Sequence, residues 1–301
     1  MSDLRIISLI PSATEIVAAL GLVDCLVGRS HECDYPSSVQ SLPVCTAANL
    51  DPQGTSREIH DRVEDLLQAA LSIYRIDLAQ LERLKPTHII TQAQCDICAV
   101  SLPDVEVAAA QLTHSAPKVI SLQPRVLEDV WQDIRQVAAV LEADAAPVLS
   151  ALQARLQTCQ SRSYAQRPTV ACIEWTDPLM AAGNWVPELV DIAGGENLLG
   201  QTGEHSPWLD WETLVAANPD VIVLMPCGFN LEKTRKAAQS LTQDPHWKKL
   251  SAVQQQRVFI TDGNQYFNRP GPRLVDSAEL LAEIFHPELA PLYAGSGWQP
   301  L

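Results

Sequence analysis

Two short polar segments hold most of the side chains in this chain that could bind a metal or a metal complex. The first is Arg29-Ser30-His31-Glu32-Cys33-Asp34-Tyr35-Pro36, the second Gln92-Ala93-Gln94-Cys95-Asp96-Ile97-Cys98-Ala99. Imidazole and thiolate are ligands for zinc, iron and copper, and one imidazole can serve as the axial ligand of a metal already held in a chelate. His31, Cys95 and Cys98 are therefore candidate metal ligands, and His31, Glu32, Gln94 and Cys95 candidate contacts to a small molecule. A lone Cys-x-x-Cys is only half of a zinc ribbon. A redox role for Cys95 and Cys98 would follow the thioredoxin pattern, whose other signatures the chain lacks. The plainer reading is small buried cysteines and a capping histidine.

A second group lies in the later half. Trp175 and Trp185, with Trp208 and Trp211 near them, are flat apolar surfaces that suit the face of a corrin or porphyrin. Cys227 follows an apolar run and belongs to the same rim. Asn264, Tyr266, Asn268 and Arg269 crowd one loop, and such amides and a fixed cation can recognise amide and carboxylate substituents. The competing readings are tryptophans in the core and a helix-capping turn. No nucleophile elbow, phosphate-cradling glycine loop or two-histidine metal motif is present, so nothing identifies an enzyme.

These segments need elements to position them. Leu84-Lys85-Pro86-Thr87-His88-Ile89-Ile90 is echoed 133 residues later by Ala217-Asn218-Pro219-Asp220-Val221-Ile222-Val223. Proline disfavours helix at the residue before it, so each copy stops a helix and launches a strand. An unalternating apolar run reads as a parallel strand covered on both faces. The first strand spans 5–10. Ser12 or Thr14 can cap the helix after it, which Gly21 ends. Residues 126–162 are helical, divided near Asp144 and Pro147. The expectation is an α/β fold: two Rossmann-like lobes with parallel sheets, joined by a long rigid backbone helix. The lobes are assigned to 1–124 and 166–301, with 125–165 as the helical linker. Loops at the carboxyl ends of parallel strands line ligand crevices, so the polar segments would face a cleft between the lobes.

Composition sets limits. A net charge of −15 leaves nothing to neutralise nucleic-acid phosphates or to hold an anionic membrane. No apolar run approaches the ~20 residues of a membrane-spanning helix. The first strand starts too soon to leave room for a signal peptide. Eight cysteines in a chain with 47% hydrophobic residues suit a reducing compartment better than a disulfide framework. The expected location is the cytoplasm, or the periplasm if a leader has been removed.

The opening strand with Pro11-Ser12-Ala13-Thr14-Glu15, the paired helix–Pro–strand units, the helical spacer and Arg269-Pro270-Gly271-Pro272-Arg273 together resemble a known family. It is that of the substrate-binding proteins that deliver cobalamin, haem and iron–siderophore chelates to ABC importers, with cobalamin-binding members nearest. The resemblance covers residues 4 to 287. It implies a small-molecule chelate as ligand, a corrinoid or another metal chelate, and adds Pro11 and Ser12 to the ligand contacts. It also implies an ABC permease as partner, docked through one surface glutamate per lobe. Glu212 matches in the second lobe; the matching position in the first is Ala79, with Asp77 and Glu82 out of step. Two readings compete with a chelate-binding protein. One is a cytosolic metal- or thiol-dependent enzyme that uses zinc or iron at the same His/Cys loops. The other is a scaffold for protein contacts.

Overall fold

The computed structural model describes residues 4–69, 71–93, 100–162, 164 and 166–301. The chain divides into two compact units. Unit 1 is formed by residues 1–54, 58–124 and 128–149, unit 2 by 55–57, 125–127 and 150–301.

Unit 1 is built on a parallel sheet. Strands β1 (Ile6–Ser8) and β2 (Leu26–Arg29) are followed by β3 (Thr46–Ala48) and β4 (Tyr74–Ile76), which form a separate antiparallel pair. Strands β5 (His88–Gln92) and β6 (Lys118–Leu122) complete the main sheet in the order β2-β1-β5-β6. Helices α1 (Pro11–Ala19), α2 (Ser56–Gln68), α3 (Leu78–Leu84), α4 (Leu102–Ala110), α5 (Leu127–Val140) and α6 (Ala146–Gln160) connect or follow these strands. Ile7, Leu9, Leu81, Ile89 and Val105 fill the core at full burial, as apolar runs in parallel strands require. Helix α1 starts earlier than its sequence suggests. Pro11 occupies the first turn and no side chain caps it, while the Thr14 hydroxyl donates instead to Ser8 Oγ at 2.8 Å. The helical stretch after β6 is shared, residues 128–149 packing with unit 1 and 150–160 with unit 2.

Unit 2 repeats the plan. Its strands are β7 (Thr169–Thr176), β8 (Leu179–Ala181), β9 (Glu196–Asn197), β10 (Val221–Leu224), β11 (Val258–Thr261) and β12 (Trp298–Pro300). Strands β9, β7, β10 and β11 run parallel in that order, and antiparallel β8 and β12 extend the sheet. Helices α7 (Val186–Ile192), α8 (Trp211–Ala217), α9 (Leu231–Gln243), α10 (Ser251–Gln254), α11 (Gly263–Tyr266) and α12 (Leu274–Phe285) surround it. The segment 262–272, read from sequence as a loop, contains the short helix α11. Its first residue must be glycine, because a Cβ at Gly263 would stand 2.4 Å from the Pro226 carbonyl oxygen.

The doubled phrase is a doubled structure. In α3, Asp77 caps the N-terminus by accepting from the Gln80 amide at 2.9 Å; in α8, Asp210 accepts from the Thr213 amide at 2.7 Å. Each helix then runs seven residues and closes on a left-handed residue, Lys85 with φ 46° and Asn218 with φ 39°. Pro86 and Pro219 follow, and the chain enters β5 or β10 beside the first strand of its unit. Asp77→Ala and Asp210→Ala should each lower the midpoint of urea unfolding, since each removes a helix N-cap. A loss in only one of the two would show that the caps are not equivalent.

One charged group of α5 is drawn inside. Asp133 is 6% exposed and accepts the backbone N–H of Gln123. Burial first, then the charge of Asp129, push its carboxyl up to about 7 from an ordinary value of 3.8. The unfolded chain therefore loses this proton at lower pH than the folded one. Stability tied to Asp133 is full below about pH 4 and is lost as pH rises through about 7. Unfolding measured across that range should show a decline that Asp133→Asn flattens; an unchanged decline would place its origin in other groups.

Candidate functional site

All four strands of the unit 1 sheet are parallel, so the segments after β1, β2, β5 and β6 emerge at one edge. Pro11 and Ser12 open α1 there, both buried. His31 and Glu32 follow β2, half-buried. Arg29 fixes their loop by donating to the carbonyls of Ser30, Cys33 and Gln40, each at 3.0 Å. The Glu32 amide donates to Ser30 Oγ at 3.3 Å. Cys33 is 1% exposed, with its Sγ 3.0 Å from Thr14 Oγ1, so it is a core residue.

His31 is held from two sides. Its amide donates to Thr46 Oγ1 at 3.1 Å, and its Nδ1 lies 2.8 Å from the same oxygen. The Thr46 hydroxyl also reaches Ser30 Oγ at 3.2 Å. When that proton goes to Ser30, Nδ1 must be the donor and Nε2 carries the lone pair. The Tyr74 ring stands 5.6 Å from the imidazole, centroid to centroid. Burial, and secondly Arg29, lower the His31 pKa, which keeps the ring neutral near pH 7 and fit to ligate. Thr46 and Tyr74 come from the small antiparallel pair, and nothing in the sequence near His31 announces them.

Gln94, Cys95 and Cys98 lie outside the described residues. Among the described residues, no group of three or more His, Cys, Asp and Glu side chains is arranged to hold a metal ion. The six described cysteines, Cys25, Cys33, Cys45, Cys159, Cys172 and Cys227, are free thiols.

In unit 2 the candidate tryptophans part company. Trp175 pairs with Met180 across β7 and β8, and Met180 pairs in turn with Trp208. Directly paired residues project to the same face of a sheet, so the three form one row beyond which β7 ends. Trp208 is 60% exposed, and Phe229 packs 5.2 Å from the Trp175 ring. Trp175 Nε1 is buried and makes no hydrogen bond among the described residues. Trp185 is 7% exposed, and its Nε1 donates to the Phe267 carbonyl at 2.9 Å. It fastens α7 to the 262–272 segment from within the core. Sequence spacing could not distinguish the two, because both come after the same apolar run, 169–173. Cys227 stands half-buried after β10, its amide donating to the Glu174 carbonyl at 3.3 Å.

The amide-rich loop is bonded to itself. Asp262 accepts from the Gln265 backbone and side-chain amides, both at 2.9 Å. Asn268 Nδ2 donates to the carbonyls of Met225 and Gly263 at 3.2 and 2.9 Å. Arg269, 4% exposed, donates to Asn264 Oδ1 at 3.1 Å. Arg273 faces the Tyr266 ring with its guanidinium carbon 6.0 Å from the centroid. The capping role, one of the two sequence readings, accounts for most of these polar groups.

Glu212 is exposed on the first turn of α8, and Ala79 holds the equivalent place on α3. The acids near Ala79 are engaged. Asp77 is the helix cap, and Glu82 accepts from the Thr113 amide and hydroxyl and pairs with His114.

A parallel-sheet unit doubled along the chain, with ligand-type side chains on its carboxyl-end loops, defines a binding protein of the two-lobe class. The chain belongs to the periplasmic binding protein family, whose pattern matches residues 6–265. It is similar to the vitamin B12-binding protein of Vibrio cholerae serotype O1, with 26% identity over 91% of this chain and 86% of the relative. It is similar to the ABC transporter substrate-binding lipoprotein YvrC of Bacillus subtilis, with 24% identity over 94% and 80% of the two chains. Among solved structures, the periplasmic haem-binding protein HutB of Vibrio cholerae superposes with a TM-score of 0.70 at 21% identity, covering 95% of this chain and all of the other. The chain is thus a substrate-binding protein of the ABC-importer type, and the enzyme reading finds no support. The cytoplasmic location is corrected to an extracytoplasmic one, since the family is that of periplasmic binding proteins and the Bacillus subtilis relative is a lipoprotein. The free thiols among the described residues suit either compartment.

Trp185→Phe keeps a ring in the core but leaves the Phe267 carbonyl without its donor. It should cost about 1–3 kcal/mol in denaturant unfolding. Undiminished stability would show that the indole N–H is dispensable.

Proposed function

We propose that this protein binds a corrinoid and presents it to an ABC permease. The row of Trp175, Met180 and Trp208 on one sheet face carries this reading. It offers a continuous, partly exposed apolar surface with indole planes, which suits a flat macrocycle. The relatives named as vitamin B12-binding proteins favour a corrinoid over haem, since the haem-binding structures share the fold at lower identity. His31, neutral and oriented through Nδ1, is the axial ligand in this reading, and Glu32, Pro11 and Ser12 are further contacts to the chelate. Cys227, hydrogen-bonded to the Glu174 carbonyl, and Asn264, hydrogen-bonded to the carbonyl of the Phe229 that packs on Trp175, lie next to the tryptophan surface, and Tyr266 is a further contact in this reading. Glu212 is the docking acid of unit 2.

Calorimetry with cobalamin, cobinamide and haemin should show tight binding of a corrinoid. Trp175→Ala and Trp208→Ala should each weaken it about 10- to 100-fold, as loss of a large apolar contact of about 1–3 kcal/mol requires. His31→Ala should shift the visible spectrum of the bound corrinoid. Absence of binding to all three compounds by a protein folded by circular dichroism would overturn the reading, and an unchanged spectrum would remove His31 from the metal.

A further inference from the structure

A second polar site lies in unit 1 and uses none of the residues proposed to contact the chelate. A cavity of about 240 Å³ is lined by Ser121, Gln123, Asp129, Gln132, Asp133 and Gln136. Every one of these side chains ends in oxygen or an amide. Asp129, Asp133 and Gln136 follow one another at helical spacing on α5, with Gln132 beside them. Ser121 comes from β6, the last strand of its sheet. Two buried oxygens here make no hydrogen bond among the described residues: Asp133 Oδ2 and Ser121 Oγ. Asp133 is 6% exposed, so its open oxygen is cut off from bulk water. Leaving such an acceptor unpaired is costly, and more so for a carboxylate. Asp129 worsens the position, because like charges four residues apart on a helix repel.

We propose that this cavity is a calcium site. Carboxylate, hydroxyl and amide oxygens are the donors that a hard cation takes. The two carboxylates supply up to four oxygens and Ser121 a fifth, and the glutamines have carbonyl oxygens to complete a shell of six to eight. No histidine or cysteine lines the cavity, which sets it apart from a zinc or iron site. Mixed and flexible ligands of this kind favour calcium over magnesium, which demands a regular octahedron and holds its waters. Only two ligands are charged, so the site belongs with the weak class of extracellular calcium modules, with Kd on the order of 10⁻⁴–10⁻³ M. The site is independent of the corrinoid reading, for neither Trp175 nor His31 enters it.

The test uses the full chain, stripped with EGTA and melted in CaCl2, MgCl2 or NaCl of matched ionic strength. Roughly 10 mM calcium should raise Tm by a few degrees, and magnesium by less. Asp129→Asn and Asp133→Asn should each abolish the calcium rise. Asp133→Asn removes the buried unpaired charge, so in EGTA it should melt no lower than the wild type, which separates loss of the site from misfolding. No rise with calcium would show that water or a proton fills the cavity and overturn the proposal. A rise that persists in both variants would also overturn it, by placing the ion elsewhere.

Discussion

Both sheets depend on one chain reversal. A short helix ends on a residue forced into the left-handed region, a proline follows, and the backbone emerges already extended into the central strand. Lys85 and Asn218 hold φ values of 46° and 39° without being glycine, a conformation L-residues adopt at a cost. The cost is accepted because the reversal fixes where β5 and β10 begin. Their register against β1 and β7 places the carboxyl-end loops. Cys227, just after β10, inherits its position from it.

This reversal was legible in the residues because proline acts locally. The Pro86 and Pro219 phrases required no knowledge of distant contacts, and neither did the break at Asp144 and Pro147 between α5 and α6. What depended on distant partners was not legible. The Thr46 hydroxyl that orients His31 arrives from a separate strand pair. Trp175 and Trp185 look alike in sequence and differ in fate because only one meets a carbonyl, that of Phe267, in the core. Trp208 joins the exposed row through a single bridge to Met180 that no periodicity announces. Asp133 was hidden for the opposite reason. The apolar spacing of Val130, Ile134 and Val137 marks α5 as a core helix, and a carboxylate beside that stripe reads as solvated until its burial is seen.

Compartment was the one bulk property read wrongly. Cysteine content reports on the need for disulfides, and a chain with two well-filled cores has little need in any compartment. Six free thiols and an extracytoplasmic family are compatible once that is recognised.

The self-bonded segment from Asp262 to Arg273 has a thermodynamic consequence. Asn264, Gln265, Asn268 and Arg269 have already given up their rotamer freedom to one another and to backbone carbonyls. A molecule that settles against this rim meets a surface ordered during folding, and the usual penalty of about 0.5–1.5 kcal/mol for each immobilised side chain does not fall on the encounter. Any recognition there would be entropically inexpensive, and its selectivity would come from the fixed outline of the rim.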